Sequence, residues 1–437
     1  MLKDHTEAPL PRKLIVEPTT RCNFQCRMCV KQSAGARIEE GDLSSRILDQ
    51  CLEVMPGLDS LVFTGIGEPL LHEDIETFAA QARSRMPNGS RIGFQTNGKL
   101  LNRERSLSLF DSGVNTICVS VDSIEPALFN DIRTSDGFFD VNPVIESLGR
   151  NRAEVTAKKT GGDIRLGVEF VVMKQNLDQL PGLVRWAAQH QLDFIIVSHV
   201  VAYGKAFQDQ AVFLNNSYES MAWFEIYRKK AEAAGMDLQE YSRMLWKYHK
   251  TEQETELYRL MDEFKRAAQD QGVYINPVHL FSEKKGAYDA VRTRFDHAEQ
   301  LARQYGIELT LPRIRPKTNR RCDFIEEGAV FVTWDGQVSP CYFLWHQYEV
   351  MRAGNIKQVS PLYFGDLHQG TLGQIWQQRD YAEFRQKVIA YDYPNCHAWC
   401  DTRCDYVLQA PFYQDCYIND IPCCDCYWSL GLLNCLT

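Results

Sequence analysis

Cysteine is the residue type whose placement in this 437-residue chain first suggests chemistry. Cys22, Cys26 and Cys29 stand in the run Arg21-Cys22-Asn23-Phe24-Gln25-Cys26-Arg27-Met28-Cys29, a Cx3CxxC spacing directly after a short β-branched stretch. Thiolates are the protein ligands of iron–sulfur clusters. Three on one short loop can hold three irons of a [4Fe-4S] cube and leave the fourth iron without a protein ligand. That open iron makes such a site chemical rather than structural. A structural zinc site would want a fourth Cys or His nearby, and none lies within the loop.

Of the 15 cysteines, ten lie between positions 322 and 435, eight of them after position 395. In a reducing compartment such thiols are metal ligands, nucleophiles or buried side chains rather than disulfides. A tail this dense in cysteine and aromatics, with little periodicity, needs metal to hold its shape. Cys51 and Cys118 lie within a helical and a strand pattern and read as core residues.

The elements that position these loops follow from hydrophobic patterning. Short apolar runs at Lys13–Glu17, Ser60–Thr64, Arg91–Gln95, Thr116–Val121, Arg165–Met173 and Phe194–Val200 read as strands. Between them lie helical patterns such as Ser45–Met55, Asp74–Arg85 and Leu180–Gln191. Strand followed by helix, repeated about six times, argues an α/β fold with a parallel sheet, open or curled into a partial barrel. Ligands then collect at the strand C-termini. Several candidate motifs fall at those ends: Thr64-Gly65-Ile66-Gly67-Glu68-Pro69 after the second strand, Gln95-Thr96-Asn97-Gly98 after the third, and Ser120-Val121-Asp122-Ser123 after the fourth. Glycines in the first of these let the backbone approach a ligand closely.

Residues 204–315 read as a helical insertion or connector, with patterns at Ser220–Ala234, Leu238–Gln269 and Tyr288–Tyr305. Beyond it, Ala329–Trp334, Asp335-Gly336 and Gln337–Cys341 signal a β-hairpin with a tight type I′ turn. A helical segment, Leu372–Ala390, precedes the cysteine-rich tail. The expected organisation is therefore 1–203, 204–315 and 316–437.

Composition limits the function classes. With 22 Phe, 19 Tyr and 8 Trp the chain has the burial payload of a compact fold, and a net charge of −9 disfavours nucleic acid as a partner. The N-terminal residues lack the apolar core of a signal peptide and no run approaches a membrane span, so a cytoplasmic protein with no membrane partner is expected.

On these motifs the chain resembles the radical S-adenosylmethionine (radical SAM) superfamily, whose fold is a partial (β/α)6 barrel. The resemblance implies that Cys22, Cys26 and Cys29 hold a [4Fe-4S] cluster whose open iron binds S-adenosylmethionine. It further implies that Gly65, Gly67, Glu68 and Pro69 correspond to the family's GGEP motif, with Ile66 in place of a glycine, and contact the methionine amino group. Asn97, Ser120 and Asp122 would face the cofactor, and Arg133 would pair with its carboxylate through a planar fork. The spacing from Cys322 through Gly336 to Cys341 resembles the opening of the SPASM extension, which carries two auxiliary [4Fe-4S] clusters. Two fully ligated cubes need eight thiolates. The ligand candidates are Cys322, Cys341, Cys396, Cys400, Cys404, Cys416, Cys423, Cys426 and Cys435, with Cys424 as bystander because adjacent side chains diverge. Zinc knuckles are the competing reading of this tail.

Longer stretches, Gly167-Val168-Glu169-Phe170-Val171-Val172-Met173, Ser198-His199-Val200, Cys341-Tyr342-Phe343-Leu344-Trp345-His346 and Cys423-Cys424-Asp425-Cys426-Tyr427-Trp428, look like a SPASM subgroup assigned as metalloenzyme maturases, akin to those accompanying tungsten-pterin oxidoreductases. The implied partners are a reductant such as flavodoxin or ferredoxin and a peptide, protein or cofactor substrate, including a metalloenzyme undergoing maturation. The alternatives are a ribosomal-peptide crosslinking enzyme or a small-molecule radical dehydrogenase, and, from another class, a non-catalytic iron–sulfur electron carrier. No winged-helix-like leader-binding pattern precedes Cys22, which weighs against the peptide reading. Glu169, His199 and His346 are the candidates for a proton-transfer group at the barrel mouth.

Overall fold

The computed structural model describes residues 10–436 except 34, 159–162, 204, 245–246, 274, 320, 353–354, 391–422 and 424–425. Cys396, Cys400, Cys404, Cys416 and Cys424 lie outside the described residues.

The β-branched runs form strands within a residue or so of where the pattern places them. They are β1 (Lys13–Val16), β2 (Ser60–Phe63), β3 (Arg91–Thr96), β4 (Thr116–Ser120), β5 (Arg165–Val172) and β6 (Phe194–His199). Strands β2, β4 and β6 are buried along their whole length, as parallel strands covered on both faces must be. Each pairs in parallel with the next, giving one sheet that rises in chain order from β1 to β6.

Four further strands extend this sheet. A short β7 (Glu308–Thr310) adds in parallel to β6, and β8 (Ala329–Val332) adds in parallel to the opposite edge at β1. The antiparallel β9 (Gln337–Ser339) follows β8. After a separate hairpin of β10 (Tyr348–Arg352) and β11 (Asn355–Val359), β12 (Gly365–Asp366) closes that edge beside β9. Strands from residues 329–366 and the first six strands thus share one sheet.

The amphipathic segments cover the sheet, but several are shorter than their patterns suggest. Ser45–Met55 is helical only over Ser45–Asp49. Leu238–Gln269 divides into Glu240–Met244 and Glu252–Gln269, because Thr251 and Glu254 form a reciprocal capping box that starts a new helix. Thr371 and Gln374 form another at the start of Leu372–Trp376, and a second helix, Arg379–Ala390, follows. Within 204–315, Tyr227, Met261 and Phe264 belong to a small core separate from that of the sheet. The helix Ala287–Tyr305 instead packs on Leu180–Gln189 and leads into β7, continuing the strand–helix alternation.

The hairpin at Asp335-Gly336 differs from the expected type I′ turn. Only Gly336 has a positive φ, +87°, and Thr333 closes the loop by accepting from Gly336 N at its carbonyl and from Gln337 N at its hydroxyl. A type I′ turn needs positive φ at both central residues. Asp335 does not adopt it, so the extra loop residue is accommodated at Gly336, the residue without a Cβ.

The chain's end returns to the inner face of the sheet. Asn434 donates from its backbone to Ser198 Oγ at 3.0 Å and from its amide to the Val197 carbonyl at 2.8 Å. Leu436 then packs beside Cys118, Phe194 and Ile196, and against Gly93. These positions on β3, β4 and β6 surround one side chain.

Candidate active site

Parallel topology gathers the C-terminal ends of β1 to β6 around one cavity of about 650 Å³. The loop after β1 brings Cys22, Cys26 and Cys29 to its wall. That loop is bound to the segment following β4. Gln25 N donates to the Thr134 carbonyl at 2.7 Å, and Arg27 N donates to Ile132 at 3.2 Å. Asn97, from the end of β3, spans the loop by donating to Asn23 Oδ1 at 2.7 Å. Burial pushes the Cys26 thiol up to about 12 and raises Cys22 and Cys29 as well. In the absence of metal these thiols stay protonated, so loading metal must displace protons. Among the described residues no three Cys, His, Asp or Glu side chains converge closely enough to hold a single ion.

The turn after β2 is shaped by two glycines. A Cβ on Gly67 would lie 2.2 Å from the Thr19 carbonyl oxygen and 2.5 Å from that of Arg21, and one on Gly65 would lie 2.4 Å from the Glu17 side chain. Only glycine permits this close approach of the turn to the cysteine loop. Both glycines line the cavity. Glu68 borders it too, but its carboxylate is already engaged, accepting from Thr96 Oγ1 at 2.7 Å, Asn97 N at 2.7 Å and Leu70 N at 3.2 Å. It holds the β2 and β3 ends together. Pro69 is buried at the start of a 3-10 turn and is not on the cavity wall.

Ser120 and Arg133 reach the cavity, whereas Asp122 stands behind Arg133. Arg133 Nε donates to Asp122 Oδ2 at 2.5 Å, and Asp122 Oδ1 accepts from Val171 N at 2.8 Å. The expectation that Asp122 faces the cofactor is therefore revised: its oxygens are used to aim the guanidinium.

The three proton-transfer candidates separate clearly. Glu169 lines the cavity, and no hydrogen bond reaches its carboxyl group among the described residues. Burial, aided by the nearby Asp122 carboxylate and opposed by Arg133, pushes it up to about 7. His199 also lines the cavity; its Nε2 donates to the Arg313 carbonyl at 2.9 Å, its Nδ1 has no partner among the described residues, and burial depresses it to about 4. His346 is not on the wall and hydrogen-bonds to Glu17 Oε2 at 2.9 Å.

Glu17 was not visible as a site residue in the sequence. It is wholly buried, its Oε1 accepts from Ile66 N at 3.0 Å, and it links the β1 end, the glycine turn and the segment after β9. The signal was a carboxylate ending an apolar strand run. Tyr203, Tyr342, Trp345, Trp428 and Cys435 complete the far wall. Trp428 Nε1 donates to Cys435 Sγ at 2.9 Å. Cys322 and Cys423 are buried, as is Cys426, while Cys341 is partly so.

The donor set suits a bound cluster and a polar cofactor: three thiols on one rim, a backbone turn that only glycine permits, one hydroxyl and one guanidinium aimed by a buried carboxylate. Comparison with known proteins agrees. Residues 16–155 match the model of the radical SAM superfamily, and residues 322–405 match that of the SPASM iron–sulfur cluster-binding domain. The chain is a radical SAM enzyme with a SPASM domain. Both domain types bind [4Fe-4S] clusters, and S-adenosylmethionine is the cofactor of the first. Over 429 residues, 97% of this chain and 96% of the other, it is 28% identical to the tungsten-containing aldehyde ferredoxin oxidoreductase cofactor-modifying protein of Pyrococcus furiosus. A PqqA peptide cyclase of Xanthomonas oryzae is 27% identical over 220 residues, 50% of this chain and 55% of that one. Among solved structures, SuiB of Streptococcus suis bound to S-adenosylmethionine superposes with a TM-score of 0.47 at 14% identity, covering 86% of this chain and 68% of that one. No helix among the described residues is long and apolar enough to cross a membrane.

Proposed function

We propose that this radical SAM/SPASM enzyme modifies a cofactor or peptide during maturation of a metalloenzyme of the tungsten-pterin oxidoreductase type. The observation that carries the reading is the convergence of the Cys22–Cys29 loop, the Gly65–Gly67 turn, Ser120 and Arg133 on one cavity at the strand C-termini. When bound and reduced, the cluster and S-adenosylmethionine together supply a 5′-deoxyadenosyl radical that abstracts hydrogen from substrate. Cys22, Cys26 and Cys29 hold the cluster; the turn at Gly65 and Gly67 offers backbone groups to the methionine end; Arg133, aimed by Asp122, receives the carboxylate. Asn97 and Ser120 complete the polar wall. Glu169, unpartnered and near neutrality in its titration, is placed to take a proton from substrate. Cysteines of the SPASM domain would hold auxiliary clusters, which would supply an acceptor for an electron left on substrate.

Full-length similarity to a cofactor-modifying protein favours a cofactor substrate, and similarity to a peptide cyclase over half the chain keeps a peptide as the second reading. Substrates labelled with deuterium distinguish them. Reduced, reconstituted protein is incubated with S-adenosylmethionine and either the pterin cofactor of a tungsten oxidoreductase or a peptide. Deuterium should pass to 5′-deoxyadenosine from the pterin; transfer from neither, with cofactor still cleaved, contradicts the proposed substrate classes.

A further inference from the structure

Helix Arg379–Ala390 carries a cation with no visible counter-charge. Arg385 is 3% exposed, yet among the described residues its Nε and Nη1 have no hydrogen-bond partner and no carboxylate pairs with it. Its guanidinium stacks over Trp376, 3.8 Å from the ring centroid, and lies 4.5 Å from that of Tyr381. Stacking satisfies the face of the guanidinium but leaves its in-plane N–H groups without acceptors. Tyr381 is wholly buried, and its hydroxyl also lacks a partner among the described residues. The ring cannot turn away, because it stacks on Phe364 at 4.2 Å with an interplanar angle of 4°. A buried unpaired cation and an orphan hydroxyl side by side are costly, so an acceptor with negative charge should lie against them.

The neighbours of Tyr381 point to that acceptor, and Arg385 lies beside it through Tyr381. Cys322 begins the helix Asp323–Glu326, which packs on Arg379–Ala390. The Tyr381 hydroxyl is within electrostatic reach of Arg385, Cys341 and Cys322, and Cys322 is within reach of Cys341 and Cys426. A [4Fe-4S] cube with four thiolates carries net negative charge, gains one more unit on reduction, and presents sulfurs as acceptors to neighbouring N–H and O–H groups. We infer that Arg385 and Tyr381 donate hydrogen bonds to the sulfurs of the auxiliary cluster that includes Cys322 and Cys341, and raise its reduction potential. This rests on reading those cysteines as cluster ligands. The two residues are positioning residues for electron transfer: they stabilise the reduced cluster after it accepts one electron from substrate or from the low-potential donor.

The test uses full-length, anaerobically reconstituted protein in which Cys22, Cys26 and Cys29 are all alanine, so that only auxiliary clusters remain. A redox titration followed by electron paramagnetic resonance assigns the relevant midpoint as the one lost on Cys341→Ser. In Arg385→Met, with iron content unchanged, the oxidised-to-reduced ratio at the parental midpoint should rise about tenfold, a shift of about 59 mV to lower potential. Arg385→Lys, which keeps the charge without the planar fork, should shift less. Tyr381→Phe keeps the stacked ring and should move the midpoint in the same direction by a smaller amount, which serves if Arg385→Met does not fold. An unchanged midpoint in Tyr381→Phe and in whichever Arg385 variant folds overturns the inference. Absence of any [4Fe-4S] signal from the triple-alanine parent overturns instead the reading of the SPASM cysteines as ligands.

Discussion

Arg133→Ala separates two roles that one guanidinium fills. In the folded chain Arg133 Nε lies 2.5 Å from Asp122 Oδ2, with the Asp122 side chain wholly buried. Removing the arginine leaves that carboxylate without its counter-charge, at a cost of about 3–5 kcal/mol for breaking a buried pair. It also removes the proposed partner of the cofactor carboxylate. A hydrogen bond to a charged group contributes about 1.5–3 kcal/mol, which corresponds to about 10- to 150-fold in Kd for S-adenosylmethionine. The two effects come apart in the double variant Asp122→Asn/Arg133→Ala. Replacing the orphan carboxylate by a neutral amide should recover much of the thermal stability and none of the affinity. Anaerobic calorimetric titration with S-adenosylmethionine and thermal midpoints on the same preparations measure both. A folded Arg133→Ala protein that binds the cofactor with the parental Kd would refute the assignment.

Gly67→Ala should cost about 1–3 kcal/mol, since the new Cβ would sit 2.2 Å from the Thr19 carbonyl and must displace the cysteine loop or the turn; cofactor cleavage that stays at the parental rate would show that this close approach is irrelevant to the site. Glu169 titrates near 7 when folded and near the ordinary 4.5 when unfolded, so between those values the native state holds a proton the unfolded state has released. Stability should therefore fall as pH rises through that window, by on the order of 3 kcal/mol, and the slope should vanish in Glu169→Gln. Thermal midpoints at pH 5 and pH 8 decide, and an identical slope in both proteins contradicts the buried-carboxyl reading. Cys341→Ala should leave cofactor cleavage largely intact, because the first cluster sits on a separate loop, while turnover of the physiological substrate is lost; a soluble variant with parental substrate turnover would remove any catalytic role from the cluster assigned to this cysteine.

The strand ends were legible because parallel strands buried on both faces must be continuous apolar runs, and their order fixes where their C-termini meet. That is why Cys22, Cys26, Cys29, Gly65, Gly67, Asn97, Ser120 and Arg133 could be placed around one site before any coordinates. Helix lengths were less legible. The break at Met244–Glu252 was encoded by Thr251 and Glu254, but continuous 3.6-residue periodicity on both sides masked the capping signal. The three residues of β7 are too few for a pattern, and their identity as a strand comes from pairing with β6. The Asp122–Arg133 pair, the Glu17–His346 link and the return of Asn434 to Ser198 join residues 11, 329 and 236 positions apart, contacts that no local pattern reports. Asp122 illustrates the consequence: its place at a strand end was visible, but its partner decided that its oxygens meet Arg133 and Val171 rather than the cavity.

The central claim is that the loop of Cys22, Cys26 and Cys29 holds a redox-active cluster that works on S-adenosylmethionine. Chromatographic quantification of 5′-deoxyadenosine from anaerobically reconstituted, dithionite-reduced protein tests it most directly. The parent should form 5′-deoxyadenosine and methionine from S-adenosylmethionine even without substrate, and Cys26→Ala, which removes one iron ligand, should form none; full cleavage by Cys26→Ala would contradict the account.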